Sequence, residues 1–343
     1  MASTPAGSPG RNRARWLIPA LGYLLSLAAL IWVYWGFDWK MALTRFAASD
    51  WRWLAFSMIA SVCIYLCQAW RWSLLLRPVG RAPFWRSLQS IFIGLFANEV
   101  LPLRSGELIR GYVQARWTGI PFSVVLSSEV VERLFDGILL AIGCYLTMQF
   151  VEVPRYLRDG SVVLAAVVAG FSVLLAVIMF HKHRAHAAVA HSRWAKALWH
   201  VVEGLHAMGN SRWFLASAAV SVIFLGIQVV PVWALMRACK MDLSFGVAAV
   251  VLVILRLGTI IPQAPSNVGG FQLFTVAALR LFGVDKAVAG EFATIMFFAV
   301  TIPLWICGAT AAALAGTHIR ELQRHAQASL QPAAAGPSEV SKP

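Results

Sequence analysis

Asn98–Arg110, with the sequence NEVLPLRSGELIR, interrupts the apolar part of the chain and decides how it folds. Pro102 breaks a helix here because proline lacks a backbone N–H, and Gly106 permits a sharp turn. Residues 87–101, before the break, are too short for a membrane span of about 20 residues. The residues after it carry too much charge to face lipid. We therefore predict a re-entrant hairpin, enclosed by protein, that enters and leaves on the cytoplasmic side.

The composition around this stretch is that of an integral membrane protein. Of the 343 residues, 59% are hydrophobic and 13% are charged, and the mean hydropathy is +0.70. A soluble domain has about 45–50% apolar and about 25% charged residues. Fifteen Trp and twenty Phe suit aromatic belts at two membrane interfaces. The formal charge of +14 lies mostly in short loops between spans, so it indicates membrane orientation and not nucleic-acid binding.

We predict an all-α integral membrane protein with about six full spans and two broken re-entrant hairpins, which gives up to eight membrane segments. The polytopic domain covers residues 16–317, between a disordered cytoplasmic N-terminus (1–15) and a disordered cytoplasmic tail (318–343). The predicted spans are residues 16–35, 53–76, 123–151, 161–180, 213–236 and 287–315. Residues 38–52 are predicted to be a Trp-rich outside loop, and 181–212 a cytoplasmic loop. Of the Lys and Arg flanking the spans, 16 lie on the predicted inside and 8 outside, which supports this orientation.

A second broken segment predicts an inverted repeat. Residues 243–283 contain two apolar pieces separated by PQAPSNVGG. Pro265 follows Pro102 at the same interval in the sequence as Gly269 follows Gly106. A unit of span, hairpin and span therefore occurs twice, at about residues 52–151 and 213–315, with opposite orientations. Inverted repeats with broken helices near the midplane are a recurring transporter design.

Four charged residues share one face of the predicted helix after the first hairpin. At 100° per residue, Glu129, Glu132, Arg133 and Asp136 fall within a narrow sector. Glu129 and Arg133 can pair along the helix at i, i+4. Glu132 and Asp136 repel each other at this spacing, so we expect Arg104 and Arg110 of the hairpin to neutralise them. Two interpretations remain open: a buried ion-pair network that fixes the hairpin, or a site that contacts substrate.

Other patterns carry less chemistry. In SNVGGF, a helix N-terminus could bind an anion, or the glycines simply break a helix. The five cysteines lie in apolar segments and read as small hydrophobes. The HKHRAH cluster reads as a solvated basic loop and not as a metal site. No nucleotide-binding or hydrolase motif is present, and we expect neither a cofactor nor a metal.

The combination of Asn98, LPLRSGELIR, VVERLFDG and a later P-x-x-x-GG segment resembles the lysylphosphatidylglycerol synthase transmembrane (flippase-like) family. The resemblance covers about residues 16–315. It implies a free-standing member, because no room is left for the soluble aminoacyl-transfer domain, and lysyl transfer is not expected. Many relatives have Glu shortly after the second glycine segment, where this chain has Gln272, so a proton-coupled role is not implied there. The resemblance implies importance for Asn98, Pro102, Arg104, Gly106, Glu107, Arg110, Glu132, Arg133, Asp136, Pro265, Gly269 and Gly270.

These features together favour a lipid translocator of the bacterial inner membrane that moves a polar or anionic phospholipid headgroup through a polar groove. The predicted headgroup-binding residues are Asn98, Arg104, Glu107, Arg110, Glu129, Glu132, Arg133 and Asp136. The predicted hairpin and gate residues are Pro102, Gly106, Pro265, Asn267, Gly269 and Gly270. The driving force would be a lipid gradient or a proton.

Two other functions remain open. The first is a membrane enzyme for glycosyl or acyl transfer to lipid-linked substrates, with Glu132 and Asp136 as acid and base. No catalytic or donor-binding motif supports this enzyme. Product formation from labelled lipid by the purified protein would distinguish it from a translocator. The second is a non-catalytic partner of a lipid-biosynthesis enzyme in an envelope pathway.

Overall fold

A computed structural model describes the protein over residues 10–101, 105–150, 159–160, 162–163, 166–170, 173, 204, 206–209, 211–259 and 263–330. In these ranges the secondary structure is helical. The long helices of this part of the chain are α1 (Gly10–Tyr34), α2 (Trp39–Ala47), α3 (Trp51–Leu76), α4 (Phe84–Val100), α5 (Gly106–Thr118), α6 (Phe122–Phe150), α7 (Arg212–Ala238), α8 (Phe245–Gly258), α9 (Gly270–Arg280) and α10 (Lys286–Leu330). A 3₁₀ turn, Pro265–Asn267, lies between α8 and α9.

Three helices, α3, α7 and α10 as far as Gly316, are long and apolar enough to cross a membrane. The pair Ala20–Tyr34 and Trp39–Ala47 adds a fourth candidate if its bend of 79° lies within one span. These helices carry large apolar side chains that are mostly exposed, such as Ile59, Leu215 and Ile306, as lipid-facing residues must be. The structure thus supports three or four of the six predicted spans in the residues it describes.

The two other predicted spans have different outcomes. α6 is 29 residues long, but its first half carries the four charged residues of the predicted polar face. Most of the predicted span at 161–180 lies outside the described residues, as does most of the predicted loop at 181–212 with its HKHRAH cluster. α10 continues to Leu330, past the predicted end of the last span, and the remainder of the tail also lies outside.

Residues 38–52 are not the simple loop that their polar and aromatic composition predicted. They contain α2, whose N-terminus is capped by Asp38: its side chain accepts hydrogen bonds from the N–H groups of Lys40 and Met41. Such a cap satisfies donors that the helix itself leaves free. At the other end of α2, Arg45 forms an ion pair of 3.1 Å with Glu291 of α10. This pair joins the N-terminal helices to the last helix.

The helices pack in two sets with matching neighbours. In the first set α3 packs on α4, α4 on α5 and α5 on α6; in the second, α7 packs on α8, α8 on α9 and α9 on α10. Between the sets, α10 contacts α3 and α4, while α6 contacts α7 and α8. The last helix of each set therefore contacts the first two helices of the other set.

α3 and α7 pack against each other along their length and exchange a reciprocal pair of buried hydrogen bonds. The Ser57 hydroxyl donates to the Pro231 carbonyl at 2.8 Å, and the Ser217 hydroxyl donates to the Arg71 carbonyl at 3.2 Å. Ser217 follows Ser57 at the same interval in the sequence as Pro231 follows Arg71. The two bonds are thus related by exchange of the helices.

The interval that separates Ser57 from Ser217 also relates other parts of α3 and α7. Ser61 donates to the Ser57 carbonyl, and Ser221 donates to the Ser217 carbonyl. Small hydroxyl residues allow two helices to approach closely within a membrane. Several positions at this interval are identical: Arg52/Arg212, Trp53/Trp213, Ser57/Ser217, Ser61/Ser221, Val62/Val222, Gln68/Gln228, Leu75/Leu235 and Arg77/Arg237.

The first hairpin is closed by glycines at the contact between α4 and α5. A Cβ atom at Gly106 would overlap the carbonyl oxygen of Gly94. A Cβ atom at Gly94 would lie 2.6 Å from Cβ of Arg110. α4 and α5 have only 17 and 13 residues, so this contact, and not an independent membrane span, fixes their position.

We expect Gly106→Ala to destabilise the protein by about 1–3 kcal/mol, because the added methyl group meets backbone atoms that cannot rotate away. Thermal unfolding in detergent micelles would show a lower midpoint. Gly226→Ala is the matched control, because Gly226 lies inside α7 and a methyl group there would have no atom within 4 Å. Equal midpoints for the two variants would contradict this account of the hairpin.

Candidate functional site

Arg71 of α3 lies at the centre of an ion-pair network that joins three helices. Its side chain is fully buried. One guanidinium nitrogen contacts Oε1 of Glu132 at 3.0 Å, and another contacts Oδ1 of Asp136 at 2.5 Å. The guanidinium also lies 4.6 Å from the centre of the Phe224 ring of α7. α3 is thereby bound to α6 by two charged contacts within the protein interior.

Arg110 of α5 also binds α6, through Glu129 and Glu132. Its Nε atom lies 3.2 Å from Oε1 of Glu129, and Nη2 lies 2.9 Å from Oε2 of Glu132. Its guanidinium lies 4.8 Å from the centre of the Trp72 ring, and the Trp72 indole N–H donates to Ser128 at 2.8 Å. Glu132 therefore contacts Arg71 with one oxygen and Arg110 with the other.

The buried half of the network is electrically balanced. Arg71 and Arg110 face Glu129 and Glu132, and the side chains of all four are at most 5% exposed. A single charge at membrane depth costs several kcal/mol, so such groups persist when they are paired. Two arginines and two glutamates leave no net charge in this half.

Glycine allows the two charged helices to come this close. A Cβ atom at Gly111 of α5 would lie 2.9 Å from Oε1 of Glu129. Asn98, at the end of α4, accepts a hydrogen bond of 2.8 Å from the Gly106 N–H with its side-chain oxygen. Asn98 was predicted to bind a headgroup with the charged residues; in the structure its amide oxygen holds the start of α5.

The second half of the network is open. Arg133 lies 3.5 Å from Glu107 and 3.6 Å from the second carboxylate oxygen of Asp136. The side chains of Arg133, Glu107 and Asp136 are 46%, 38% and 28% exposed. Arg256 of α8 interacts electrostatically with Asp136 and donates a hydrogen bond to Gln228. An external molecule can reach these charges, and both halves of the chain contribute to them.

The second hairpin meets the first at its tip. The Ser266 hydroxyl donates to the Glu99 carbonyl at 3.0 Å, and the Trp305 indole N–H lies 3.5 Å from the Glu99 carboxylate. Pro265 and Asn267 form the adjoining 3₁₀ turn, in which Ser266 and Asn267 have left-handed backbone angles. The 3₁₀ turn, which includes the two predicted gate residues Pro265 and Asn267, thus contacts α4.

The glycines of the second hairpin serve close packing. A Cβ atom at Gly269 would overlap the Ser26 carbonyl of α1, and one at Gly270 would overlap the Gln263 side chain. Gly269 also has a left-handed φ of +87°, which glycine adopts without strain. Its N–H donates to Gln272 at 2.8 Å. Gln272 therefore occupies one of the donors that an anion at this helix N-terminus would use.

Comparison with known proteins assigns the chain to a family. The family described as the lysylphosphatidylglycerol synthase TM region matches residues 20–308. The chain belongs to this family. The match includes both hairpins and the whole ion-pair network, and with the apolar helices it makes the chain a multi-pass membrane protein.

Two similar proteins are archaeal. A UPF0104 membrane protein of Methanothermobacter thermautotrophicus is 22% identical over 303 residues, which cover 80% of this chain and 86% of the relative. A UPF0104 membrane protein of Methanocaldococcus jannaschii is 23% identical over 217 residues, which cover 60% of this chain and 86% of the relative. No solved structure matches the chain.

The structure joins most of the residues predicted for the site. Glu107, Arg110, Glu129, Glu132, Arg133 and Asp136 form one connected network. Arg104 and Pro102 lie outside the described residues. The expected partner of Glu129 was Arg133 on the same helix, but Glu129 pairs with Arg110 and Arg133 pairs with Glu107. A contact between helices takes the place of the i, i+4 pair because the hairpin packs directly on this face of α6.

Arg71 is the member that the sequence analysis missed. It lies within the predicted span 53–76, and no role in the site was predicted for it. A charged residue within an apolar span is itself a signal for a buried partner, and this signal could have placed Arg71 in the network. Within the described residues no group of three or more His, Cys, Asp or Glu is arranged to hold a metal ion.

Arg71→Ala should destabilise the protein by about 3–5 kcal/mol, because it leaves the buried carboxylate of Glu132 with one partner fewer. Arg133→Ala should cost less than about 1 kcal/mol, since its contacts are half exposed. Unfolding midpoints of the two purified variants in the same detergent provide the comparison. A similar midpoint for both would show that the buried pair does not stabilise the fold.

Proposed function

We propose that this protein is a lipid translocator that moves a polar or anionic lipid headgroup through an intramembrane polar groove. The observation that carries the proposal is the division of the ion-pair network into a balanced buried half and an open half. A network that only fixed the hairpin would need the buried half alone. The family adds support, because it is named for the membrane region of a lipid-synthesising protein.

The open half offers both signs of charge to a headgroup. Arg133 can bind a lipid phosphate with its guanidinium fork, while Glu107 and Asp136 hold the arginine when no lipid is present. The two Arg133 contacts, at 3.5 and 3.6 Å, are longer than those of the buried half and are easier to exchange for a phosphate. Acyl chains would stay in the bilayer while the headgroup passes these residues.

This proposal assigns different roles to the predicted binding residues. Arg133, Glu107 and Asp136 contact the headgroup. Arg110, Glu129 and Glu132, with Arg71, hold α5 and α3 against α6, and Asn98 holds the turn before α5. In this proposal the buried residues form the ion-pair network that fixes the hairpin, and the exposed residues form the site that contacts substrate.

We also infer that residues 52–151 and 213–315 form two units of inverted orientation. The reciprocal hydrogen bonds of α3 and α7, the matching helix neighbours and the identical positions support this inference. The chemistry differs between the units. Gly94 and Arg110 lie close together in the first hairpin, and Gly258 and Phe274 lie close together at the corresponding places in the second. The second unit thus has the aromatic ring of Phe274 where the first has the buried charge of Arg110. An uncharged ring at this place suits a gate.

Inverted units supply a route for alternating access. Each hairpin would open the groove toward one side of the membrane, and the contact of Ser266 with Glu99 would let one hairpin respond to the other. The partner is then a membrane phospholipid or other polar lipid, moved down its own gradient or with a proton. No catalytic step is required of any residue.

Arg133→Ala should abolish translocation of a labelled anionic phospholipid in proteoliposomes, because the groove loses its accessible phosphate-binding group. Arg237→Ala is the matched control: Arg237 is 40% exposed and is also ion-paired, to Asp242 at 3.3 Å, but it lies at the end of α7. Translocation by the control should equal that of the wild type. Undiminished translocation by Arg133→Ala would refute this site.

The inverted orientation predicts that the ends of α3 and α7 lie on opposite sides of the membrane. Single cysteines at Arg81 and Lys240, in a variant whose five native cysteines are replaced by alanine, should react differently with a membrane-impermeant maleimide on intact cells. We expect labelling at 240 and labelling at 81 only after permeabilisation. Equal labelling of both positions on intact cells would exclude the inverted arrangement.

A further inference from the structure

A cavity of about 820 Å³ lies where α3 ends and α4 and α7 begin. Aromatic and basic side chains line it, among them Trp70, Arg77, Arg81, Phe84 and Trp213. None of the charged residues of the ion-pair network lines it. The cavity is therefore separate from the proposed translocation groove.

The basic residues at this cavity are held beside an aromatic ring. The Arg77 guanidinium lies 4.3 Å from the centre of the Trp213 ring, and that of Arg212 lies 5.0 Å from it. Arg77, Arg81 and Arg212 are exposed. None of the three takes part in an ion pair with a carboxylate in the part of the chain that the structure describes. Their exposed guanidinium groups can therefore contact an anionic ligand.

The opposite end of the same helix pair shows the contrast. Arg237, which corresponds to Arg77 in the alignment of α7 with α3, also lies beside an indole ring, at 5.4 Å from Trp233. There, however, Asp242 balances the charge at 3.3 Å. An arginine beside a tryptophan ring therefore occurs at both ends, between α3 and α7 at Arg77 and within α7 at Arg237. Among the described residues, only Arg237 of these two also has a carboxylate partner.

The aromatic residues indicate where this cavity lies in the membrane. Trp70 and Trp85, near the cavity, are 50% and 69% exposed, and tryptophan concentrates at the level of the lipid headgroups. Basic pockets between membrane helices at this level bind anionic headgroups. An arginine guanidinium also matches the geometry of a phosphate.

We propose that this cavity binds the headgroup of an anionic phospholipid that is not the translocated molecule. Arg77 and Arg81 contact the phosphate, with Arg212 close by, and the rings of Trp70 and Phe84 lie against the start of the acyl chains. The lipid takes the place that Asp242 occupies at the opposite end. It joins the end of α3 to the start of α7, the two helices that connect the halves of the protein.

Lipid binding to the purified full-length protein in neutral detergent micelles tests the proposal. Phosphatidylglycerol and phosphatidylcholine would be titrated separately, and retained lipids counted by native mass spectrometry. The wild type should bind phosphatidylglycerol more tightly than phosphatidylcholine. Arg77→Gln and Arg81→Gln should each weaken phosphatidylglycerol binding about fivefold, as expected for one cation at an anionic headgroup.

Arg237→Gln is the matched control, and its affinity for phosphatidylglycerol should be unchanged. The titration is repeated in an Arg133→Ala background to separate this cavity from the translocation groove. The weakening by Arg77→Gln should persist in that background, even if Arg133→Ala leaves translocation intact and the proposed function fails. Unfolding midpoints of all variants identify any loss of binding that is caused by misfolding.

Two results would overturn the proposal. One is equal affinity of the wild type and the Arg77→Gln, Arg81→Gln double variant for phosphatidylglycerol, with both proteins folded. The other is displacement of the lipid by inorganic phosphate at equal concentration, which would identify the cavity as a site for free phosphate.

Discussion

The structure depends on one carboxylate that two arginines share. Glu132 of α6 gives one oxygen to Arg71 of α3 and the other to Arg110 of α5. Arg71 and Arg110 each have a second carboxylate partner on α6, Asp136 and Glu129. The remaining contacts are mostly of small residues and rings, which attract each other only weakly in lipid. Because a charge without a partner is so costly at this depth, the three helices can separate only if water replaces each contact. The shared carboxylate therefore sets the register of the first hairpin against the long helices.

The network consists of a buried half and a partly exposed half. The buried half resists change because every charge in it is balanced. The open half also pairs an arginine with carboxylates, but its contacts are longer and its side chains are partly exposed. Asp136 belongs to both halves, with one oxygen on Arg71 and the other near Arg133. A ligand that displaces Arg133 thus alters the surroundings of a residue that contacts the buried half.

The sequence predicted those features that depend on local chemistry. Pro102, Gly106 and the charges around them predicted the broken hairpin, and helical periodicity placed Glu129, Glu132 and Asp136 on one face. The partners of these charges depend on how helices pack, and so Arg71 was missed and Glu129 was given the wrong arginine. Pro102 and Pro265 are separated by a slightly longer interval in the sequence than Ser57 and Ser217. A single interval does not hold throughout, because the loops between the helices of residues 52–151 and of residues 213–315 differ in length.

The paired serines of α3 and α7 have a mechanical consequence. In the proposed alternating access, an axis about which the halves rock would pass between the two exchanged hydrogen bonds, and atoms close to that axis would move least. One of their two acceptors is the carbonyl of Arg71, the residue at the centre of the charge network. The ion-pair network is therefore joined directly to the contact between α3 and α7 about which the proposed motion would take place.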